Sequence, residues 1–561
     1  MAATHEVVNQ APLRAGVNEY TGHTALVEAV QAFGGGWASE ALTEAGALVG
    51  TADFQHDAEL ANTYTPVLRT HDRWGNRVDD VEFHPAYHRI IGDALRHGAH
   101  TSCWADPRVG AHVARAAMFM QFSQIEPGHA CPVSMTHAVV PSLQIDPVLA
   151  AQWLPRVYSR EYSHDLGAAS GASGPDGYSA GDKPSATFGM AMTEKQGGSD
   201  VRANTTRAIE QSDGSYLITG HKWFCSAPQS DAFLVLAQTE PSAPRSGRSS
   251  NVTCFLVPRV LPDRSRNVFR IQRLKDKLGN KSNASSEIEF DQTLGWRLGD
   301  EGAGVRTIIE MVNQTRLDCI LGSAAGMRQS VAEAAWHTRH RSAFGATLID
   351  QPAMTAVIAD LPVEAEAATW TAMRLAAAYD DDTDESVAFR RLATAVGKYW
   401  VCKRGPGHAY EALECLGGNG YTETGFPLAR RYREQPVMAV WEGSGNVIAL
   451  DVLRAMMRDP ASVAAVDAEF ERALGQYRAY DLHVEATRKL IAAAAADPGN
   501  APACARKLTE SMALALAGAV LIEQAPDTVT EAFLAGRIVD PGHLYGTLEP
   551  TLDLAGIAAR A

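Results

Sequence analysis

Glu442 follows the apolar run Val437–Trp441 and precedes Gly443, Ser444 and Gly445. A carboxylate held among apolar groups on a tight turn becomes more basic, because burial disfavours its charged form. That suits a general base acting on a weakly acidic proton; the ordinary alternative is a solvated Glu beside a glycine turn. Four further constellations have types and spacing that could surround such a base. Met190–Asp200, Met-Ala-Met-Thr-Glu-Lys-Gln-Gly-Gly-Ser-Asp, offers hydroxyls at Thr193 and Ser199 and close backbone approach at Gly197 and Gly198, or is a plain surface turn. Gly220–Ser226, Gly-His-Lys-Trp-Phe-Cys-Ser, sets an aromatic pair beside a hydroxyl, a surface for a planar heterocycle or simply a strand core. Arg339–Gly345, Arg-His-Arg-Ser-Ala-Phe-Gly, with Gln351 behind it, ends an amphipathic helix in cations. Cations there fit a diphosphate or the negative end of the helix. Glu414–Tyr421 is a Gly-rich turn after a helix, which a C-cap explains equally well.

The elements that must position these residues follow from periodicity. From Thr24 to about Trp153 apolar residues recur at three- and four-residue spacing, which predicts helices. His164–Gly189, rich in Gly, Ser, Ala and Pro, marks a boundary or surface loop. Between Phe188 and about Phe290 the alternation in twos predicts a compact β domain, with Glu240–Asn251 as an exposed hairpin loop. The helical period returns near Gly304 in segments long enough for a bundle, and an Ala-rich helical tail follows Leu453. The expected fold is therefore α+β in four parts: helical 1–185, β 186–300, helical bundle 301–454 and a further helical domain 455–561.

Composition bounds the function. With 561 residues, 46% hydrophobic and 20% charged, the chain is neither disordered, collagenous nor a coiled coil, and is long enough to enclose a large cofactor. A net charge of −15 repels nucleic-acid backbones and anionic membranes. The segment 455–561 holds nine Lys and Arg against fourteen Asp and Glu, so duplex DNA is disfavoured as a partner, although Arg488-Lys489 and Arg506-Lys507 could share a face. Eight scattered cysteines, without Cys-x-x-Cys, indicate neither a zinc site nor a disulfide framework, and no metal is expected. The first sixteen residues lack an apolar core flanked by basic residues, and no stretch of about eighteen apolar residues occurs, so a cytoplasmic protein is expected.

In order and spacing the five constellations resemble the acyl-CoA dehydrogenase superfamily and, within it, the AidB-like branch of the adaptive response to alkylation. MTEKQGGSD, GHKWF, LKDKLGNKSNAS (Leu274–Ser285), Arg341-x-x-Phe344-Gly345, LGGNGY and WEGSGN stand in the family's order. VVNQAPLRAGVNEYTGHTALVEA resembles that branch's N-terminal extension, and the resemblance runs from about Val7 to about Arg454. It implies a helical domain, an antiparallel β-barrel-like domain, a four-helix bundle holding FAD at their junction, and an extra C-terminal helical domain. It sets Met190, Met192, Thr193, Gly198 and Ser199 against the flavin, with Phe224, Cys225 and Ser226 beside it. Phe224 stands where relatives carry Trp, which keeps a stacking surface and loses an indole donor. Arg341, Phe344, Gln351, Glu414, Gly417 and Gly418 match positions holding the diphosphate and adenosine, often from a neighbouring subunit, which implies a homotetramer. Glu414 replaces a frequent Gln, so an amide donor is lost there. Trp441, Gly443, Ser444, Gly445 and Asn446 frame the cofactor around Glu442.

The same resemblance implies the chemistry. Glu442 would remove a proton α to a thioester carbonyl while the β-hydrogen leaves as hydride to the flavin. The main-chain N–H of Glu442 and a ribityl hydroxyl would meet the enolate-like charge. Ser199 and Arg316 would contact the substrate, a branched or short acyl-CoA. Two functions follow as expectations: an FAD-dependent acyl-CoA oxidoreductase tied to alkylation damage, or a DNA-associated protein that shields DNA or destroys alkylating agents.

Overall fold

The computed structural model describes residues 4–164, 183–239 and 251–561, so most of the Gly/Ser-rich boundary and of the Glu240–Asn251 loop lies outside the described residues. The chain opens with α1 (Thr24–Ala32), α2 (Ser39–Val49) and α3 (Ala52–Thr63), then a hairpin of β1 (Val67–His71) and β2 (Arg77–Glu82). Helices α4 (Pro85–Arg96), α5 (Ser102–Ala105), α6 (Ala111–Ile125), α7 (Ala130–Leu143) and α8 (Pro147–Val157) follow. Seven strands come next: β3 (Phe188–Ala191), β4 (Arg207–Glu210), β5 (Tyr216–Ser226), β6 (Ala232–Thr239), β7 (Val252–Pro258), β8 (Arg270–Leu274) and β9 (Ser285–Leu298). Then come α9 (Gly304–His340), a short hairpin of β10 (Ser342–Ala343) and β11 (Ala346–Thr347), and α10 (Pro352–Ala377), α11 (Asp384–Glu414), α12 (Leu428–Met438) and α13 (Gly445–Arg458). The tail forms α14 (Pro460–Arg472), α15 (Arg478–Ala496), α16 (Ala501–Gln524), α17 (Asp527–Phe533) and α18 (Leu554–Ala559). The α+β order expected from periodicity is the order observed.

Two compact units result, one of residues 56–107 and 126–315, the other of 1–55, 108–125 and 316–561. In the first, β3 to β9 form one seven-stranded sheet. Most pairs are antiparallel, while β6 runs parallel to both β3 and β4. Strand β6 shows how the sequence builds it. Ala232, Leu234 and Leu236 pack with Met135 and Val139 of α7 and Trp153 of α8, whereas Phe233, Val235 and Ala237 pack with Phe255, Phe269 and Phe290. A strand buried on both faces needs an unbroken apolar run, which AFLVLA supplies.

One local departure from the helical reading of the first segment is the β1–β2 hairpin. The short alternating segments VLRTH and RVDDVE form it, set between longer helical runs. The turn is held by the Asp72 carboxylate, which accepts from the backbone N–H groups of Trp74 and Asn76 at 2.8 Å each.

In the second unit the long helices dominate. Helix α11 packs against α10, α12, α13, α14 and α16. The absence of a side chain at Gly397 lets Leu375 of α10 and Ile320 of α9 come within 3.0 and 3.4 Å of where a Cβ would stand. The tail is fastened by charge as well as packing: Arg537 reaches Asp360 at 2.6 Å and Glu364 at 2.8 Å on α10, and Arg404 adds a 2.8 Å bond to Glu364. Burial raises the Glu364 carboxyl, but Arg404 and Arg537 outweigh it and hold it at about 2.

Candidate active site

Strand β5 begins as a regular inward–outward alternation, with Tyr216, Ile218 and Lys222 buried. Between Lys222 and Cys225 its register against β9 slips by an irregularity. The slip changes which side chains face out: Trp223 is half-buried and the Phe224 ring is 51% exposed, while Cys225 turns into the core beneath them. Lys275 Nζ lies 3.1 Å from the centre of the Trp223 ring and 2.6 Å from Glu287. Ser226 Oγ lies 3.4 Å from Ser285 Oγ, which accepts from Lys277 at 3.0 Å.

The Met190–Asp200 segment is bound to this strand. The Trp223 N–H donates to Thr193 O at 2.8 Å. Beneath it, Lys222 and Glu194, both 0% exposed, form an ion pair at 2.9 Å. Lys222 also donates to Leu236 O at 2.8 Å, and Glu194 accepts from the N–H groups of Thr205 and Thr206 at 2.7 and 3.1 Å. Burial alone would raise the Glu194 carboxyl; the Lys222 charge and the backbone donors outweigh it and hold it well below the usual carboxylate range. Gly198 closes the turn because a Cβ there would stand 2.4 Å from Thr193 Oγ1. The Met190–Asp200 turn and the Gly220–Ser226 strand segment are thus one framework.

In the other unit, α12 unwinds after Met438 into the turn that carries Glu442, and α13 starts at Gly445. Glu442 has φ +58° and Gly443 φ +114°. A non-glycine residue in the left-handed region costs of order 1–3 kcal/mol and persists only where its surroundings hold it. Here three successive carbonyls are held by cations. Lys398, on α11 and 1% exposed, donates from Nζ to Trp441 O at 2.9 Å and to Gly443 O at 2.5 Å. Arg316, on α9, donates from Nε to Glu442 O at 3.1 Å and from Nη1 to Asp451 of α13 at 2.8 Å. Burial raises the Asp451 carboxyl, but Arg316 and Arg391 outweigh it, so it stays below its ordinary range. Cys319, Cys402 and Met438 form a small apolar floor against Trp441. The Glu442 side chain is half-buried with Oε2 out of reach of water, and the Trp441 indole N–H is buried without an acceptor among the described residues.

The segments that carry the Glu442 turn and the Phe224 ledge both fall within stretches that match known families. Residues 9–164 match the adaptive response protein AidB N-terminal domain, 189–293 the acyl-CoA dehydrogenase middle domain, and 302–457 the acyl-CoA dehydrogenase C-terminal domain. AidB of Escherichia coli (strain K12) is 42% identical over 533 residues, 94% of each chain. The chain belongs to the acyl-CoA dehydrogenase family, in its AidB branch. As such it is a flavin-dependent oxidoreductase of the acyl-CoA dehydrogenase type. Caenorhabditis elegans ACDH-11, solved in complex with C11-CoA, superposes with a TM-score of 0.86 at 25% identity, covering 96% of this chain and 94% of that one. A Bacillus anthracis acyl-CoA dehydrogenase complexed with FAD shares the fold at a TM-score of 0.64 and 16% identity, over 80% and 81% of the two chains.

The remaining residues expected in an acyl-CoA dehydrogenase site are spread over several elements. Met190 and Met192 are half-buried on and just after β3, and Ser199 is exposed at the end of the turn. Arg341 donates to Asn9 O at 2.6 Å, Gln351 donates to Ala343 O at 2.9 Å, and Phe344, with φ +55°, is fully exposed at the hairpin tip. Glu414 accepts from Tyr410 at 3.0 Å, and Gly417 and Gly418 have open space where a Cβ would stand. Ser444 and Asn446 are exposed beside the half-buried Gly443 and Gly445. Arg316, expected at the substrate, spends two of its nitrogens on Glu442 O and Asp451. Cys225 is wholly buried in the barrel core, where burial pushes its thiol up to about 12. Sequence reasoning passed over Glu194, Lys222, Lys398 and Asp451. Lys222 did carry a signal, since a lysine at an inward position of an alternating strand needs a buried counter-charge.

Proposed function

We propose that this protein uses FAD to oxidise an acyl-CoA thioester between its α and β carbons, with Glu442 as the base. The observation that carries the reading is the turn: a carboxylate with a water-inaccessible oxygen, on a left-handed residue whose neighbouring carbonyls are all held by cations. Such strain at a defined carboxylate belongs with a functional site.

The residues present fit a flavin. Each unit by itself offers groups suited to a flavin: in one, Phe224 and Ser226 present an exposed ring and a hydroxyl; in the other, the indole N–H of Trp441 is a buried donor with no acceptor among the described residues, and Gly417 and Gly418 leave the backbone open. Arg341, Phe344, Gln351 and Glu414 would serve the diphosphate and adenosine, supplied in an oligomer by a second copy. When bound, FAD supplies the two-electron acceptor for the hydride leaving the β carbon. The chain's own residues do the rest. Glu442 takes the α proton onto its carboxylate. Its main-chain N–H meets the charge that develops on the thioester oxygen.

The relative solved with C11-CoA and the one solved with FAD support the choice of ligands. No helix among the described residues is long and apolar enough to cross a membrane, and all eight cysteines are free thiols, which suits a reducing cytoplasm. Of the two basic pairs in the tail, Arg488-Lys489 is engaged with carboxylates, Arg488 with Asp467 at 2.7 Å and Glu471 at 3.0 Å and Lys489 with Glu485 at 2.6 Å, while Arg506 donates to the Tyr399 hydroxyl at 3.2 Å. That favours the oxidoreductase over a duplex-DNA shield, since phosphate contacts need cations not already neutralised. A role in clearing alkylating agents stays open to the same assay through nitroalkane substrates. Anaerobic flavin bleaching by isovaleryl-CoA and undecanoyl-CoA tests the reading; protein that binds no flavin, or holds flavin that no acyl-CoA reduces, would refute it.

A further inference from the structure

The peptide joining Trp441 to Glu442 has its carbonyl on Lys398 and its N–H on the residue proposed as base. Lys398 Nζ stands 2.9 Å from Trp441 O and 2.5 Å from Gly443 O, so one ammonium spans the turn on either side of Glu442. A cation on an amide oxygen draws electron density toward it and makes the N–H of the same amide a stronger donor. Lys398 is 1% exposed and comes from α11, so the interaction acts out of water and from a rigid element. Arg316 holds the next carbonyl, that of Glu442 itself, at 3.1 Å and is in turn fixed by Asp451. The direction of the turn's carbonyls, toward α9 and α11, is therefore set by two buried cations.

We propose that Lys398 is a positioning residue for the reaction. It holds Glu442 in its left-handed conformation and polarises the Trp441–Glu442 peptide, so that the Glu442 N–H is a stronger donor to the thioester oxygen. The inference rests on the reading of Glu442 as the base. Lys398, 1% exposed and bonded to Trp441 O and Gly443 O, acts through the peptide.

The test compares flavin-loaded wild type with Lys398→Met, Lys398→Gln and Glu442→Gln. Two quantities are read: the limiting rate of anaerobic flavin bleaching by isovaleryl-CoA, and the apparent pKa of bound 3-thiaoctanoyl-CoA, followed by the long-wavelength band of its deprotonated form. For Lys398→Met we expect the limiting rate to fall about ten- to a hundredfold with a nearly unchanged half-saturation concentration, because an oxyanion donor is weakened rather than removed. The bound analogue should become less acidic by about one unit or more, the counterpart of a tenfold loss. Lys398→Gln keeps one N–H donor without the charge; it should show the same two changes to a lesser degree, and it decides the matter where the Met variant does not fold. A folded, flavin-loaded Lys398 variant with wild-type rate and wild-type analogue acidity overturns the inference. Bleaching by Glu442→Gln at the wild-type rate would instead overturn the reading of the base, so the two failures are distinguishable.

Discussion

Lys222 and Lys398 are both withdrawn from water, yet they are used in opposite ways. Lys222 meets a carboxylate, Glu194, and the pair lies inside the sheet as a brace between two segments. Lys398 meets main-chain carbonyls on both sides of Glu442. A lysine opposite a carboxylate neutralises it and yields a stiff turn that presents neighbours such as Phe224. A lysine opposite carbonyls fixes the main chain that carries the nearby carboxylate. The first arrangement belongs to architecture and the second to chemistry, and the contrast can be broken by experiment.

The largest structural effect should come from Lys222→Met. It leaves Glu194 charged and buried without its cation, a change that costs about 3–5 kcal/mol. Denaturant melts followed by tryptophan fluorescence would measure it, and adding Glu194→Gln should recover part of the loss. A shift below about 1 kcal/mol would mean that the pair is not the brace described here.

Acid provides the next comparison. Glu126 is wholly buried and accepts from Ser282 at 2.6 Å and Asn62 at 2.9 Å, with His129 beside it at 3.2 Å. Burial raises its carboxyl, but His129 and these bonds outweigh it and bring it from 4.5 to about 2. The folded state thus binds fewer protons than the unfolded chain. The stabilisation is complete above the ordinary carboxylate range and is lost as pH falls through about 2, with Glu194 acting in the same direction. At 1.36 kcal/mol per unit this amounts to about 3 kcal/mol for Glu126. Stability measured from pH 6 to pH 3 should fall, and Glu126→Gln should flatten that slope; an unchanged slope would contradict the assignment.

Asn9→Ala should have the smallest effect. The Asn9 carboxamide accepts from the Ser342 N–H and donates to Ser342 O, each at 2.8 Å, in an exposed setting. Its loss should cost about 1 kcal/mol or less and speed hydrogen exchange at the β10–β11 hairpin without changing exchange around Glu442. Exchange altered around Glu442 instead would show the two regions to be coupled.

Much of this was legible in the chain. The alternation across residues 188–290 announced the β domain, and the Glu442 turn advertised itself by an apolar run followed by glycines. What was not legible is contact between distant positions. Lys398 lies on α11, forty-four residues before Glu442, and Arg316 is 126 residues away on α9; no periodicity records that they converge on one turn. The β1–β2 hairpin was missed because its strands are short and flanked by strong helices. Cys225 was read with its exposed neighbours because the irregularity that turns it inward is a property of pairing with β9, not of the strand alone.

The proposed chemistry turns on Glu442 as a base. Its most direct test is anaerobic titration of the flavin-loaded protein with an acyl-CoA, wild type beside Glu442→Gln. With Glu442 as the base, bleaching is expected in the wild type and a rate lower by about 10²–10⁴-fold in the variant, at equal flavin content. Equal bleaching in both would contradict it.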